Sequence, residues 1–516
     1  MINVRDSLRQ AANWHRDKLA IVSGGRELTF AEAWDRGLRL ANAFLSLGLQ
    51  PQDKIGVLEE NCLEASDFLL GTAIGNYVRV PLYKKNAPEA HAHMLRNTGC
   101  KALVVDKKHL HEIQGVEEIV DCLEHIIVRD DNYESWLSTF DTTDPNPDIQ
   151  LDDYYVIRHS GGTTGLPKGI AFTHNAWMNM ERDWTYRCPT IEAGDCCIHV
   201  APISHGSGFL FVPLWFSGGF NILESKFDAP RLLSLLADYG GYLFAVPTII
   251  SDLVAHYETH VKEVDAMSFD KVKAIVVGGS PMLPQTAMRA HGVFGETLHQ
   301  MYGLSEVTPV VWMTPKEWFG QVEGSDPLVA AGRVMPFARI RIVDESNNDL
   351  PAGEIGELVL QSDGMIHEYW NSPELTANKF FDGWMRTGDV GRIDENGYLY
   401  LSDRKDDMII SGGFNIWPAE LELVIGDLPE VRECVVVRAP HERFGETPVA
   451  VVVLHEGMSL EHQTVIDTCL ERLGKLKRPS AVYFRYEPFS RTPVGKIRRN
   501  DVREQFWNDG AAMGGS

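Results

Sequence analysis

The stretch His159-Ser-Gly-Gly-Thr-Thr-Gly-Leu-Pro-Lys-Gly169 decides how this chain is interpreted. It follows the apolar run Tyr154-Tyr-Val-Ile157, which predicts a short strand ending in a loop. Glycine tolerates backbone dihedrals that other residues resist, so this loop can turn its N–H groups inward. Its hydroxyls and its lysine add donors and positive charge. The stretch therefore predicts a polyphosphate-binding loop, formed by Ser160, Gly161, Gly162, Thr163, Thr164, Gly165 and Lys168.

A polar surface turn is the simpler alternative for this stretch. Against it, three glycines, three hydroxyl residues and a lysine fall within nine residues. The loop is also not a Walker A loop, which ends in G-K-[ST], because Lys168 lies between Pro167 and Gly169.

The loop resembles the phosphate loop of the adenylate-forming superfamily, which contains acyl- and aryl-CoA synthetases, adenylation domains of nonribosomal peptide synthetases, and luciferases. Ser305 stands where threonine is commoner, and Gly161 stands where many CoA ligases carry serine, which leaves the substrate open. Further motifs of the superfamily follow in its order: Pro202-Ile-Ser-His205, Gly278-Gly-Ser-Pro281, Tyr302-Gly-Leu-Ser-Glu306, Arg386-Thr-Gly-Asp389, Asp403-Arg-Lys-Asp-Asp-Met-Ile-Ile-Ser-Gly-Gly413, Asn415-Ile-Trp-Pro-Ala-Glu420 and Pro493-Val-Gly-Lys496.

The pattern of apolar runs predicts an α/β fold. Thr29-Phe-Ala-Glu32 is a capping box that opens a helix, Lys54–Leu58 is a predicted strand, and a helix is predicted from Leu63. Such alternation indicates parallel sheets covered by helices. The resemblance implies a large N-terminal domain of mostly parallel sheets with a β-barrel-like subdomain, and a small mobile α+β C-terminal domain. We expect these domains at 1–403 and 407–516, joined by a hinge at 404–406.

The resemblance also implies roles in forming an acyl-adenylate from a carboxylate and ATP. Lys496 is the expected catalytic lysine, bridging the carboxylate and the α-phosphate, and His205 is a further catalytic residue that also belongs to the acyl pocket. Glu306 and Thr163 are the expected Mg²⁺ ligands, since magnesium prefers hard oxygen donors. For Glu306 the alternative is a carboxylate at a helix N-terminus.

For the nucleoside, Asp389 is the expected acceptor for the ribose hydroxyls, and Arg404 is expected to bind ribose or phosphate nearby. Tyr302 is expected to stack on adenine, with core packing as its alternative. The other residues expected to contact ATP or AMP are Gly279, Ser280, Pro281, Gly303 and Ser305.

In this superfamily the small domain rotates before a thiol attacks the acyl-adenylate. Asp406 falls at the hinge position, with a solvated loop charge as its alternative. Gly412 and Gly413 are expected to line the pantetheine tunnel for coenzyme A.

The acyl pocket is expected to hold an aryl or aliphatic acid. The run His205-Gly-Ser-Gly-Phe209 contains no acidic residue that could anchor a substrate ammonium group. Gly206 and Gly208 are expected to leave room for a bulky substrate. The pocket candidates are mostly small or apolar: His205, Phe209, Val246, Thr248 and Gly303.

The sequence thus predicts an ATP-dependent carboxylic acid–CoA ligase with small-molecule substrates. A related alternative loads the acyl group onto the phosphopantetheine arm of a carrier protein, and more distant ones are a luciferase-type oxygenase or a non-catalytic nucleotide-binding protein. The net charge of −24 argues against nucleic acid as a partner. The eight cysteines are irregularly spaced and no stretch could span a bilayer, so a cytoplasmic protein is expected. The oligomeric state is open, with a homodimer among the alternatives.

Overall fold

A computed structural model describes residues 2–84, 86–160, 167–204, 206–260, 267–404, 407–411, 414–491 and 497–507 of the 516-residue chain. Within these ranges, only the backbone is described at five positions, which are Ser160, Asp403, Arg404, Asn415 and Leu476.

Helices and strands alternate along most of the chain. The first part contains α1 (Val4–Trp14), β1 (Leu19–Ser23), β2 (Arg26–Thr29), α2 (Phe30–Ser46), β3 (Lys54–Leu58), α3 (Leu63–Ile74), β4 (Val78–Pro81), α4 (Pro88–Thr98), β5 (Cys100–Asp106), α5 (Val116–Ile119), β6 (His125–Arg129), α6 (Tyr133–Ser138) and β7 (Tyr154–Ser160). The middle part contains β8 (Lys168–Thr173), α7 (His174–Arg187), β9 (Cys196–His199), α8 (Phe211–Ser217), β10 (Phe220–Leu223), α9 (Ala229–Tyr239), β11 (Gly241–Ala245), α10 (Pro247–Thr259), β12 (Val272–Val277), α11 (Pro284–Phe294), β13 (Leu298–Leu304), β14 (Val307–Met313), α12 (Pro315–Trp318), β15 (Gly332–Val334), β16 (Ala338–Val343), β17 (Gly356–Ser362), β18 (Tyr369–Trp370), α13 (Pro373–Lys379), β19 (Phe380–Phe381), β20 (Trp384–Ile393) and β21 (Tyr398–Arg404). The last part contains β22 (Ile409–Ser411), β23 (Phe414–Ile416), α14 (Pro418–Gly426), β24 (Val431–His441), β25 (Gly445–Leu454), α15 (His462–Leu473), β26 (Ala481–Arg485) and α16 (Arg499–Trp507).

The capping box at the start of α2 is confirmed. The Thr29 hydroxyl accepts a hydrogen bond from the backbone N–H of Glu32, and the Glu32 carboxylate accepts one from the backbone N–H of Thr29. These two bonds satisfy donors that would otherwise be unpaired at the helix start, so the local sequence alone fixes where α2 begins.

The largest sheet combines a parallel half with an antiparallel half. Its order is β16-β17-β20-β21-β15-β14-β13-β12-β11-β9-β10-β1-β2, with β19 paired to β20. Strands β13, β12, β11, β9, β10 and β1 are parallel to their neighbours in that series, as the alternation predicts. In the other half, β14, β15, β21, β20, β17 and β16 pair antiparallel in that order. The β-barrel-like subdomain is expected in this half.

A second sheet has the order β18-β8-β7-β4-β3-β5-β6 and is parallel from β7 to β6. The main apolar core lies between it and the largest sheet, because buried side chains of both sheets and of the helices between them form one cluster. Burial of this apolar area is the dominant stabilising contribution to the fold.

The described residues after Ile409 form a separate sheet, ordered β23-β22-β25-β24 with β26 parallel to β25, and it has its own apolar core. This is the α+β architecture expected of the C-terminal domain. The boundaries at 403 and 407 stay predictions. Among the described helices, none is long and apolar enough to cross a membrane.

Candidate functional site

Three of the predicted motifs and one segment of predicted acyl-pocket residues lie at one edge of the largest sheet. Strands β9, β11, β12 and β13 run parallel, so their carboxyl ends meet at the same edge. A Cβ placed on Gly279 would lie 3.4 Å from the Val246 side chain, which shows how closely two of these segments approach. The segments that follow the four strands hold Pro202 to Ser204, Val246 to Thr248, Gly278 to Pro281, and Ser305 with Glu306.

Gly279, Ser280 and Pro281 are exposed at this edge, and their contact with a bound nucleoside stays a prediction. Gly279 has a φ of +92°, in the left-handed region that favours glycine. Gly278 is buried, and a Cβ there would lie 2.3 Å from the sulfur of Met301. The glycines of this motif therefore serve backbone shape and close packing.

Glu306 lies in the tight turn between β13 and β14, an antiparallel hairpin. The alternative of a carboxylate at a helix N-terminus is therefore wrong, because strands flank the residue on both sides. Gly303 is needed just before this turn, since a Cβ there would lie 2.6 Å from the hydroxyl of Thr308. The half-buried turn presents the carboxylate at the edge where the other motifs meet.

The short strand β18 connects Glu306 to the second sheet. The Tyr369 hydroxyl donates a hydrogen bond of 2.7 Å to Oε1 of Glu306, and the Ile366 N–H donates one of 3.1 Å to the Glu306 carbonyl. Tyr369 itself pairs with Ile170 in β8, the strand that begins at Lys168. The turn of one sheet is thereby fixed against the phosphate-loop hairpin of the other.

The predicted phosphate loop joins β7 to β8. Ser160 and Lys168 face each other across this antiparallel pair, so the two ends of the loop are adjacent. The strand ends three residues later than the predicted Ile157, because β7 continues its pairing with β8 to Ser160. Lys168 is exposed. The loop residues Gly161, Gly162, Thr163, Thr164 and Gly165 lie outside the described part of the chain.

The predicted ribose acceptor, Asp389, is held in place from two sides. Its carboxylate accepts a hydrogen bond of 2.6 Å from the Tyr302 hydroxyl, and its backbone N–H donates to the Thr387 hydroxyl at 2.9 Å. Thr387 in turn donates to the Leu358 carbonyl at 2.8 Å. Asp389 is 8% exposed. Arg404 lies directly opposite Asp389 in the β20–β21 pair, which places its backbone beside the same position.

Tyr302 and Asp389 were predicted as separate nucleoside contacts, and the structure joins them. The hydroxyl bond orients the Tyr302 ring and the Asp389 carboxylate together. Stacking on adenine stays a prediction.

Asn61 is a supporting residue that sequence analysis missed. Its side-chain amide donates to the carbonyls of His199 and Ala201 at 3.1 and 2.8 Å, and it accepts from the Ile203 N–H at 2.9 Å. A buried asparagine with three bonds to one segment fixes the backbone that leads into Pro202-Ile-Ser-His205. Asn61 lies far away in sequence and in none of the recognised motifs, so no local signal indicates this role.

His199 also fixes this segment, through hydrogen bonds of both ring nitrogens. Its Nε2 lies 2.8 Å from Oδ1 of Asn221, an acceptor, and its Nδ1 lies 2.9 Å from the hydroxyl of Ser207. A neutral imidazole protonated at Nε2 satisfies both contacts, donating to the first and accepting from the second. Burial lowers the pKa of His199 to about 4, which agrees with a neutral ring.

We expect the stability of the protein to fall as the pH drops below about 6.5. In the unfolded chain His199 takes up a proton near that pH, whereas in the folded chain its pKa is about 4. The contribution of His199 to the free energy of unfolding is therefore fully present above the unfolded pKa. It is lost as the pH falls, by about 3 kcal/mol at pH 4. The melting temperature measured from pH 7.5 to 4.5 tests this.

His199→Gln should reduce the slope of melting temperature against pH, while the exposed His111→Gln should keep the wild-type slope. Buried His159, with a pKa lowered to about 3, and His174, with one lowered to about 4, should maintain part of the slope. Equal slopes of melting temperature against pH for wild type and His199→Gln would contradict the assignment of this pH dependence to His199.

The predicted acyl-pocket residue Phe209 lies in a dense aromatic cluster. Its ring stacks on Trp184 with a centroid distance of 5.4 Å, and Trp184 also contacts Phe244 and Trp312. The prediction that Gly206 and Gly208 leave room for bulk is wrong. A Cβ on Gly206 would lie 2.9 Å from the Phe244 ring, and one on Gly208 would lie 1.7 Å from the Ile203 carbonyl oxygen. These glycines allow close packing.

Several predicted site residues lie outside the described part of the chain, and their roles stay predictions. These are His205, Asp406, Gly412, Gly413 and Lys496.

The residues around Glu306 fit a magnesium ion that is shared with a nucleotide. Within the described ranges, no three His, Cys, Asp or Glu side chains group as a protein-only metal site. Magnesium commonly takes one or two carboxylates and completes its shell with substrate phosphates and water. Glu306 offers that carboxylate, with the Tyr369 hydroxyl on one oxygen.

Comparisons with known proteins show which family the chain resembles over most of its length. The model of the AMP-binding enzyme family matches residues 8–370, and the model of the AMP-binding enzyme C-terminal domain matches residues 420–496.

Individual relatives align over almost the whole chain. The fatty acid–acyl-carrier-protein ligase ScoC of Streptomyces coeruleorubidus is 29% identical over 503 residues, which cover 95% of this chain and 94% of the relative. Feruloyl-CoA synthase of an Amycolatopsis species is 30% identical over 497 residues, with 94% and 96% covered. The crystal structure of ATP-bound MatB from Rhodopseudomonas palustris has a TM-score of 0.87 at 27% identity, and the match covers 98% of this chain and 99% of that one.

Proposed function

Because the chain belongs to the family of AMP-binding enzymes, it is an AMP-forming acid–thiol ligase, and we propose that its substrates are MgATP, a carboxylic acid and coenzyme A. The first half-reaction joins the carboxylate oxygen to the α-phosphorus of ATP and expels pyrophosphate. In the second, the CoA thiol gives up its proton and attacks the acyl carbon, and AMP leaves.

One observation carries this proposal: the carboxyl edges of two sheets meet around Glu306. The Tyr369–Glu306 bond links the β13–β14 turn to the hairpin that carries the predicted phosphate loop. Asn61, just after β3, binds the segment after β9. In open α/β sheets, ligands bind in the crevice outside the carboxyl ends of the strands.

The reaction needs positive charge because both reactants are anions. Two like charges about 4 Å apart repel by roughly 1 kcal/mol in water and by roughly 4 kcal/mol at the effective dielectric of a partly buried site. Lys168, exposed at the end of the phosphate loop, would face the β- and γ-phosphates. Lys496 would lie between the carboxylate and the α-phosphate, as the motif Pro493-Val-Gly-Lys496 suggests.

The chain's own groups would orient the other reactants. Asp389, aligned by Tyr302, would accept hydrogen bonds from the ribose hydroxyls. Glu306 and Thr163 would hold Mg²⁺, which supplies charge neutralisation at the phosphates when bound.

For the acyl acceptor there is one alternative to coenzyme A. A relative named as an acyl-carrier-protein ligase shares 29% identity, and relatives named as CoA ligases or synthases share a similar fraction. Loading of a carrier-protein phosphopantetheine arm is therefore the second candidate, with the same adenylation step.

We expect pyrophosphate release from ATP with at least one acid in a panel of aryl, short, medium, long-chain and sterol-side-chain acids. With CoA present, turnover should continue and AMP should accumulate in equal amount to the acyl thioester. Without CoA, release should stop near one equivalent per enzyme. Sustained turnover with a pantetheinylated carrier protein but not with CoA would favour the second candidate, and release of ADP would contradict both.

A further inference from the structure

A cluster of charged side chains is buried behind the predicted phosphate loop. It consists of Arg79 in β4, Arg158 in β7 and Glu181 in α7, which are 4%, 2% and 2% exposed. We refer to these three residues as the buried charge cluster. Buried charges are expensive unless they are paired or hydrogen-bonded, so each member needs an explanation.

Arg158 has aromatic neighbours but no polar partner in the described part of the chain. Its guanidinium carbon lies 4.6 Å from the ring centroid of Trp177 and 4.4 Å from that of Phe209. Its Nε is enclosed and makes no hydrogen bond. Burial lowers the pKa of Arg158 to about 10, so the group is still a cation at neutral pH.

Glu181 does not neutralise this cation by a direct bond. Both of its carboxylate oxygens are enclosed without a hydrogen-bond partner in the described chain. Burial raises the pKa of Glu181 well above its usual range, with Arg158 and Arg79 opposing that shift. The Tyr155 hydroxyl is likewise enclosed without a partner, and the Trp177 N–H lies close enough to the Glu181 carboxylate to oppose the rise of its pKa. Several polar groups thus share this region, and none of the described ones forms a hydrogen bond with Arg158 Nε.

Arg79 resembles Arg158 in that its printed contacts are with aromatic rings, those of Tyr155 and Trp177, whereas two other enclosed arginines have oxygen partners. Arg129, 7% exposed, forms an ion pair with Glu59. Arg5, 2% exposed, donates to the Ile74 carbonyl and to Asp144. Unlike Arg129 and Arg5, Arg158 has no polar partner in the described chain. We therefore infer that its partner comes from outside the chain.

The position of Arg158 indicates where that partner would come from. It lies two residues before Ser160, where the phosphate loop begins, and its guanidinium contacts the ring of Phe209, a predicted acyl-pocket residue. Phe209 also stacks on Trp184, whose ring contacts Phe244. The guanidinium of Arg158 thus lies beside an aromatic cluster that includes a predicted acyl-pocket residue.

We propose that Arg158 determines substrate specificity by binding a hydrogen-bond-accepting oxygen at the end of the acid that is distal to the reacting carboxylate. The substrate class is then a carboxylic acid with a second oxygen group, such as a distal carboxylate or a ring hydroxyl, in place of a plain hydrocarbon acid. This inference rests on the proposed function, because it concerns the acid of that same reaction.

The chemistry of the guanidinium supports this assignment. Its planar fork matches a carboxylate in a bidentate manner and can stack on aromatic rings at the same time. A site built to hydrogen-bond a substrate oxygen rejects the analogue that lacks it, because the buried donor is then left unpaired. Bonds to a charged donor of this kind correspond to about tenfold to hundredfold in affinity.

The experiment compares matched acids that differ only at the distal end. The first pair is octanedioate and octanoate, and the second is 4-hydroxycinnamate and cinnamate. Pyrophosphate release gives kcat/KM for each acid, and the readout is the ratio of the polar acid to its hydrocarbon partner. We expect a ratio above about ten in at least one pair for the wild type, expressed mainly in KM.

Arg158→Met should lower that ratio to near one or below, and Arg158→Lys, which keeps the charge but loses the fork, should give an intermediate ratio. Arg333→Met is the matched control, because Arg333 stacks on Tyr398 at 4.4 Å and also has an enclosed Nε without a partner. It should keep the wild-type ratio. If Arg158→Met does not fold, as judged by its melting curve, the ratio for Arg158→Lys decides.

A wild-type ratio near or below one in both pairs would overturn the inference, as would an unchanged ratio in the folded Arg158 variants. Either result would mean that Arg158 does not contact the distal end of the acid. The absence of pyrophosphate release with every acid would instead count against the proposed function, so the two failures are distinguishable.

Discussion

Lys496→Ala is expected to abolish pyrophosphate release from acid plus ATP while sparing thioester formation from preformed acyl-AMP. The lysine would offset the repulsion between the carboxylate and the α-phosphate, a repulsion that exists only in the first half-reaction. Removing one well-placed charge donor of this kind costs about 3–4 kcal/mol of transition-state stabilisation, or roughly a hundredfold to a thousandfold in kcat. Single-turnover assays of each half-reaction measure the two effects separately.

Lys477→Ala is the matched control for this prediction. Lys477 lies in the same part of the chain but forms an ion pair of 2.6 Å with Glu420, so both half-reactions should stay near wild type. An equal loss of both half-reactions in Lys496→Ala would remove the role that we assign to this lysine.

Glu306→Gln is expected to lower kcat for adenylation by about a hundredfold and to raise the Mg²⁺ concentration needed for half-maximal rate. Glutamine preserves the size of the side chain and can still accept from the Tyr369 hydroxyl, but it removes the negative charge that a magnesium ion needs. Initial rates of pyrophosphate release over a magnesium titration measure both parameters.

Two further variants test this interpretation, one with a smaller expected effect and one as a control. Tyr369→Phe keeps the Glu306 carboxylate but removes the 2.7 Å hydrogen bond that orients it, which should cost about 0.5–1.5 kcal/mol, or a few-fold in rate. Glu368→Gln changes a neighbouring carboxylate that accepts from Tyr154 and should leave the magnesium dependence unchanged. A Glu306→Gln enzyme with wild-type rate and magnesium dependence would exclude Glu306 as a ligand.

The local elements of this fold could be predicted well. The helix α2 begins where the Thr29-Phe-Ala-Glu32 capping box predicts, and strand β3 has its predicted bounds Lys54–Leu58. Both depend on interactions within a few residues, such as side-chain to backbone bonds or alternation of apolar positions. The end of β7 was predicted less well, because its last residues are strand only through pairing with β8.

The supporting residues of the site could not be predicted in this way. Asn61 reaches the segment after β9 across 138 to 142 positions of sequence, and Tyr369 reaches Glu306 across 63. Neither lies in a motif, and a lone asparagine or tyrosine is compatible with many environments. The packing role of Gly206 and Gly208 was not predictable either. The sequence shows two small residues after His205, but it does not show the groups that pack against them.

The sequence by itself determined the family and the kind of chemistry, because the phosphate loop, the turn with Glu306 and the late Lys496 are short motifs whose residue types the reaction itself demands. Only the tertiary structure decided how these motifs are held and what else lies beside them. It joined Tyr302 to Asp389, attached Glu306 to β18, and placed Arg158, whose Nε has no hydrogen-bond partner in the described chain, against Phe209. Such contacts depend on the packing of two sheets against each other, and the pairing of particular polar side chains from distant segments leaves no pattern in the local sequence.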